Sequence, residues 1–281
     1  MTARSSTAAA ATPRAELVTS RENRVLKQFR AALRGPGLTD DGLTAVEGPR
    51  LVAEALRSGL QVSGILVSAS GERHLAALQN ELPDSARLLQ VSDRLFDSIA
   101  DTQTPQGIAA LLQPRPASFD ALTRPSSGHP LVVVLVGVQD PGNAGTILRT
   151  AEAFGASGVM LTAGSAHPWS PKAIRASAGS VLRLPVVHGL AAPVALAQLR
   201  MAGFTSYAAT LTGASVPSQV DLSAPSALLI GNEGAGLPLE VERSADATLR
   251  IPLAAGVNSL NAAVAAAVLL YEAARQRGLA S

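Results

Sequence analysis

Residues 131–155 read LVVVLVGVQDPGNAGTILRTAEAFG. An all-apolar run of strand length, a Pro/Gly turn and a helix opening at Asn143 is how an open α/β sheet presents a binding site at the carboxyl end of a strand. Within the helix, Ile147, Leu148, Ala151 and Phe154 recur at i, i+1, i+4 and i+7 and mark the buried stripe. Arg149 points off that stripe, on the side that begins with Thr146 and the glycine turn. Read alone, Arg149 and Glu152 are an exposed i, i+3 pair worth roughly 0.2–0.5 kcal/mol.

Two further turns follow short apolar strands downstream. One is GNEGAGL, residues 231–237, after ALLI; the other is IPLAAGVNSLN, residues 251–261. Turns at strand carboxyl ends converge on one crevice, so three of them suggest a cradle made largely of backbone. Glu233, an acid between small residues just past a buried strand, reads either as a carboxylate favoured by a helix N-terminus or as a functional group. Ser259 and Asn261 read either as caps of the last helix or as site residues.

Around this segment the chain is long enough for two domains at 281 residues. Hydrophobic residues are 47% but aromatics only 3%, so the core is built from Ala, Val, Leu and Ile. There is no cysteine, which excludes disulfides and thiolate metal sites and is compatible with a reducing cytoplasm. The pI near 9.5 accompanies a net charge of only +2, because lysine and tyrosine are scarce and few groups titrate between histidine and arginine. Position says more than the total. Residues 1–34 carry Arg4, Arg14, Arg21, Arg24, Lys27, Arg30 and Arg34 against Glu16 and Glu22, an excess of five, either an electrostatic footprint for a polyanion or a solvated helix face.

The expected organisation is a disordered tail over 1–18, a small α/β domain over 19–113, a Pro/Ser/Gly-rich linker over 114–129 and a second α/β domain over 130–281. Ser20 is the expected cap of a helix over 21–34, and the last helix is expected over 259–277. The start lacks the apolar core of a secretory signal, an Arg/Ser/Ala-rich transit peptide being the alternative, and the run 262–271 is too short to span a bilayer. A soluble, cytoplasmic protein is the expectation.

Other chemistries find no support. There is no phosphate-binding G-x-x-x-x-G-K-[ST] and no Gly-x-Ser-x-Gly elbow, and GNEGAG has the wrong glycine spacing for a dinucleotide fold. His74, His129, His167 and His188 are scattered without partners at ligand spacing, so no metal site is expected.

Taken together, VQDPGNAGTILRTAEAFGAS, LIGNEGAGL and IPLAAGVNSLNAAVAAAVLLYE resemble, in order and spacing, the three motifs of the SpoU/TrmH family of RNA 2′-O-ribose methyltransferases, in the SPOUT class. The resemblance covers residues 131–275. It extends less specifically to the first domain, where VEGPRLVAEAL and TPQGI are similar to the family's substrate-binding domain, itself like ribosomal RNA-binding proteins. It implies a parallel sheet with a trefoil knot at its C-terminal end, S-adenosylmethionine held in the knot, a homodimer, no metal and no membrane. By position it implies that Leu211, Gly231, Ile251, Leu253 and Leu260 contact the cofactor and that Asn143, Arg149, Glu233, Ser259 and Asn261 are the catalytic polar residues. Arg21, Arg24, Lys27, Arg30 and Arg50 are the candidates for gripping RNA. The family's Arg149 counterpart is proposed as a base, which conflicts with the very high pKa of arginine; a fixed guanidinium holding a phosphate or a developing alkoxide is the other role. Large-subunit (23S) rRNA is the expected substrate and tRNA the alternative. A catalytically silent RNA-binding or ribosome-assembly factor is the competing reading, and the intact polar set argues against it.

Overall fold

The computed structural model describes residues 15–115, 117–125 and 128–279. Residues 1–14, with Arg4 and Arg14 and most of the expected tail, lie outside them. The chain divides into two units, one containing residues up to Arg34 and Ala45–Gln113, the other Gly35–Thr44 and Pro114–Ser281. Residues 35–44, read from sequence as part of the first domain, therefore cluster with the second. Gly37 accounts for this locally: a Cβ there would lie 2.6 Å from the His167 ring, so only glycine lets the backbone settle against that side chain.

The first unit runs β1 (Glu16–Leu17), α1 (Arg24–Arg34), β2 (Thr44–Glu47), α2 (Pro49–Arg57), β3 (Gln61–Ser68), α3 (Glu72–Leu78), β4 (Arg87–Val91), α4 (Asp93–Asp97) and β5 (Ile108–Gln113). Its sheet has the order β1-β4-β3-β5-β2, with β3 and β5 antiparallel. Glu16 and Leu17, inside the stretch read as tail, pair with Leu89 and Gln90 of β4. Helix α1 begins at Arg24 and not at Arg21. Asn23 Oδ1 accepts from Val25 N at 2.9 Å and Leu26 N at 3.4 Å, whereas Ser20 Oγ serves only Glu22 N in the preceding turn. Leu26, Phe29, Ala32 and Leu33 fill the core side of α1.

The second unit runs α5 (Phe119–Leu122), β6 (Leu131–Leu135), α6 (Pro141–Ala153), β7 (Gly158–Thr162), α7 (Pro171–Ala176), β8 (Val186–Leu190), α8 (Ala192–Met201), β9 (Thr205–Ala209), β10 (Ser226–Ile230), α9 (Leu239–Ser244), β11 (Ala247–Leu249) and α10 (Ala262–Gln276). All pairings in its six-stranded sheet are parallel, in the order β11-β9-β10-β6-β7-β8. Strand β6 is wholly buried, as its unbroken apolar run demands of a strand covered on both faces. The stretch 114–129 is more than a linker, because α5 inserts Leu122 into the core beside Val132, Met160 and Leu229. The chain turns away from β10 on one side of β6 and toward β7 on the other. That reversal brings the loops after β6 and β10 together at the carboxyl edge of the sheet.

Helix α10 is pinned at its end. Arg277 donates to the carbonyls of Leu222 at 2.8 Å and Ala224 at 2.7 Å, and Gln276 accepts from Leu222 N.

Candidate active site

The opening strand run breaks at Gly137, which adopts φ 69°, a conformation costly for residues with a Cβ. Its N–H donates to Ser165 Oγ at 3.0 Å and its carbonyl accepts from Asn232 Nδ2 at 2.9 Å. The helix that follows opens earlier than the sequence suggests. Asp140 is the N-cap, its carboxylate accepting from Asn143 N at 2.9 Å, and Pro141 occupies the first turn where its missing N–H costs nothing. Asn143, thereby inside the first turn of α6, keeps its side chain free for other work.

The 231–236 turn is closed by reciprocal backbone bonds between Asn232 and Gly236 at 2.9 and 3.0 Å. Asn232 Oδ1 also accepts from Gly234 N and Ala235 N. A Cβ on Gly231 would collide with the backbone of Gly236 and Leu237, so the turn depends on glycine there. This places Glu233 against the loop after β6. Its carboxylate accepts from Asn143 Nδ2 at 2.9 Å and from Gln139 N and Asp140 N, each at 3.3 Å. Burial pushes Glu233 upward, but the hydrogen bonds from Asn143 and the backbone outweigh it and hold the carboxyl below its ordinary range. Glu233 is thus a carboxylate at neutral pH.

The last helix starts at Ala262, three residues later than expected, because Asn261 is its cap: Asn261 Oδ1 accepts from Ala263 N and Val264 N. The same side chain donates from Nδ2 to Asn143 Oδ1 at 3.0 Å. Capping and site are therefore not alternatives for Asn261. Its acceptor caps a helix while its donor completes a chain Asn261–Asn143–Glu233 that joins all three turns. Ser259, relieved of capping, lines a cavity.

That cavity, of about 420 Å³, falls within the size range of small-molecule sites. Leu211, Gly231, Ile251, Leu253 and Leu260 line it, and so do Glu233 and Ser259; Asn143, Arg149 and Asn261 do not. Thr210 also lines it, with a hydroxyl that is buried and has no hydrogen-bond partner among the described residues. A buried hydroxyl without a partner is costly unless something else fills the role.

Arg149 stands apart. It is exposed on α6, with no hydrogen bond or ion pair among the described residues. The expected pair with Glu152 does not form, because Arg183 takes that carboxylate in a two-pronged contact at 2.7 and 2.8 Å. Phe154, placed by periodicity in the buried stripe, is only half-buried and meets Tyr271 edge-on at 6.0 Å. Gly145, one turn before Arg149, lets α7 approach closely: a Cβ there would strike the Ala173 carbonyl and Ala176.

In the first unit Arg21, Arg24, Lys27 and Arg50 are exposed and Arg30 is partly exposed. Lys27 pairs with Glu22 at 2.5 Å. Arg34, counted in the basic footprint, instead donates twice to the Ala100 carbonyl and serves the fold. The histidines are less scattered than their spacing implies: the His167 and His188 rings lie 4.6 Å apart. Burial and then the neighbouring His188 charge push His167 down to about 4. Among the described residues no group of three or more metal-ligating side chains forms. Nor is any described helix long and apolar enough to cross a membrane.

Sequence reading passed over Asp140, Asn232, Thr210 and Lys172, whose Nζ lies 2.7 Å from Asp140 Oδ2. For Asp140 and Asn232 a signal was present: an Asp before Pro-Gly and an Asn after a strand are ordinary cap and Asx-turn positions.

Residues 130–271 match the SpoU rRNA Methylase family, and residues 39–110 match the MRM3-like substrate binding domain. The chain belongs to the SpoU rRNA methylase family. It is 32% identical to the 23S rRNA (guanosine(2553)-2'-O)-methyltransferase RlmP of Bacillus subtilis, over 90% of this chain and 97% of that protein. It is 33% identical to the 23S rRNA (uridine(2479)-2'-O)-methyltransferase of Streptomyces viridochromogenes, over 95% and 94%. An AdoMet-bound rRNA methyltransferase from Sinorhizobium meliloti superposes with a TM-score of 0.80 at 32% identity, over 93% of this chain and 98% of that one. Within a SpoU methylase, the cavity beside the 231–236 turn fits S-adenosylmethionine: it has the volume, an apolar lining with exposed backbone, and in Thr210 a buried hydroxyl awaiting a partner.

Proposed function

We propose that this chain transfers a methyl group from S-adenosylmethionine to a ribose 2′-hydroxyl of 23S rRNA in the cytoplasm. The observation that carries the reading is the Asn261–Asn143–Glu233 chain, which ties three sequence-distant turns into one polar site whose Glu233 lines a ligand-sized cavity. The relatives named for 2′-O-methylation of 23S rRNA, matched along nearly their whole length, favour rRNA over tRNA.

The cofactor, when bound, supplies an electrophilic methyl on a sulfonium, so the protein's work is alignment and the handling of one proton. Leu211, Gly231, Ile251, Leu253 and Leu260 hold the cofactor, with the close turn at Gly231 admitting it against backbone. Asn143 and Asn261 fix Glu233, which as a carboxylate orients donors at the cavity. Ser259 lines the same cavity and offers a hydroxyl to the incoming ribose. Arg149 stays protonated and donates to an anionic oxygen of the RNA, a phosphate beside the target ribose or the 2′ oxygen as it gains alkoxide character. Its lack of any intramolecular partner among the described residues leaves all its donors available for that task.

The domain over 19–113 binds the RNA, with Arg21, Arg24, Lys27, Arg30 and Arg50 contacting phosphates; the full or partial exposure of these residues, on α1, on α2 and in the turn before α1, supports this, as does the match to a substrate-binding domain. The active form is a homodimer. Val264, Val268 and Tyr271 recur at i, i+4 and i+7 on α10 and are 49%, 40% and 52% exposed, an apolar stripe suited to a second copy. The motifs imply a knotted path at the C-terminal end of the sheet.

Transfer of radiolabelled methyl from S-adenosylmethionine to 23S rRNA tests the reading. Counts with the wild type and background with Arg149→Ala are expected. Equal background from both, with RNA still bound, would leave the assembly-factor reading in place.

A further inference from the structure

Among the described residues, the cavity beside the 231–236 turn is lined by two carboxylates, Glu233 and Glu242, and no basic side chain. The two differ in how they are held. Glu233 is engaged by four donors of the protein itself, the side-chain amides of Asn143 and Asn232 and the backbone N–H groups of Gln139 and Asp140. Glu242, from α9, has no hydrogen bond or ion pair on its carboxylate among the described residues. Arg200, on the helix α8 that packs against α9, reaches Asp246 at 3.6 Å and not Glu242. A carboxylate that faces a cavity without an internal partner sets up a favourable field for a cationic occupant and an unfavourable one for an anion, and gives a net-neutral occupant no such gain.

S-adenosylmethionine carries a sulfonium, an ammonium and a carboxylate, for a net charge of +1. On methyl transfer the S–CH3 bond breaks and its electron pair returns to sulfur, while the new C–O bond forms at the ribose 2′ oxygen and the hydroxyl proton leaves to solvent. The remaining S-adenosylhomocysteine is net neutral. We propose that Glu242 is a specificity-determining residue that favours the cationic cofactor over its neutral product. The carboxylate thereby opposes product inhibition, because the charge that draws the cofactor in is gone after the reaction. This rests on the assignment of the cavity to S-adenosylmethionine.

The test is calorimetric titration of the full chain with S-adenosylmethionine and with S-adenosylhomocysteine. For a partly open site, Glu242→Gln is expected to weaken S-adenosylmethionine by roughly fivefold and to leave S-adenosylhomocysteine within about twofold. Glu242→Lys widens the loss, Glu242→Asp keeps the wild-type ratio, and Glu240→Gln, on the exposed side of α9, changes neither ligand. Raising salt lowers the preference of the wild type and not that of Glu242→Gln, a readout that needs no new fold. Equal weakening of both ligands by Glu242→Gln, or no weakening of either, overturns the inference while leaving the cavity assignment standing. Failure of the wild type to bind either ligand removes the assignment and the inference together.

Discussion

The two sides of the site are built on opposite principles. On the β10 side the 231–236 turn is saturated: Asn232 serves two N–H groups and a carbonyl, Glu233 takes four donors, and Gly231 leaves no room for a methyl group. On the α6 side Arg149 is exposed and has no side-chain partner among the described residues, although an acid of the right spacing lies one turn away and is claimed by Arg183. A rigid saturated cradle suits a small ligand that must be held in one pose. An unpaired guanidinium suits a large anionic partner that arrives with its own charges. On the proposed function, the contrast separates cofactor from RNA by chemistry, before any question of sequence specificity.

Arg149→Ala gives the sharpest way to break that contrast. It should lower methyl transfer by about 10²–10³ or more, the loss expected for removing a donor aimed at developing charge, with the dissociation constant for S-adenosylmethionine unchanged by calorimetry. A parallel fall in cofactor affinity would show that the two sides are not separate. Gly231→Ala should do the reverse. The added Cβ strikes Gly236 and Leu237 backbone, so the turn must shift, costing about 1–3 kcal/mol of stability and at least tenfold in cofactor affinity, read by thermal unfolding and by titration.

Asn143→Ala tests the joint between the sides. It deprives Glu233 of its shortest hydrogen bond and Asn261 of its acceptor. A loss of about 1 kcal/mol per bond is expected, together with a fall in kcat larger than any rise in KM for RNA. Unchanged kcat would reduce the chain of amides to a structural brace. The smallest effect belongs to Glu152→Gln, which releases Arg183. Stability should drop by about 0.5 kcal/mol with methyl transfer at the wild-type level, because Arg149 does not depend on Glu152; a large loss of activity would restore the intrahelical pair that the geometry denies.

Much of this was legible in the chain. The run LVVVL needs burial on both faces, and the structure gives β6 that burial in an all-parallel sheet. The three turns were found by glycine, asparagine and position after apolar strands. Helix starts were misread by about two or three residues at α6 and α10 because several cap-competent residues stand in a row. Which one caps depends on backbone dihedrals rather than on residue type. Asp140 and Asn261 won, leaving Asn143 and Ser259 free. The stretch 114–129 read as linker from its Pro and Ser content, and only the available space beneath Gly158 explains why Leu122 is drawn into the core.

By itself, then, the sequence determined local matters: strand and helix periods, turn positions, the scarcity of lysine and the order of the three motifs. Tertiary structure alone decided partnership. That Glu152 belongs to Arg183, that Asn143 lies between Glu233 and Asn261, and that Glu242 faces a cavity without a counter-ion among the described residues are relations across 31, 90 and 118 residues or across a void. Hydrogen bonds and ion pairs are decided within a few ångströms, and proximity on that scale between distant residues comes only from how the sheet orders its strands.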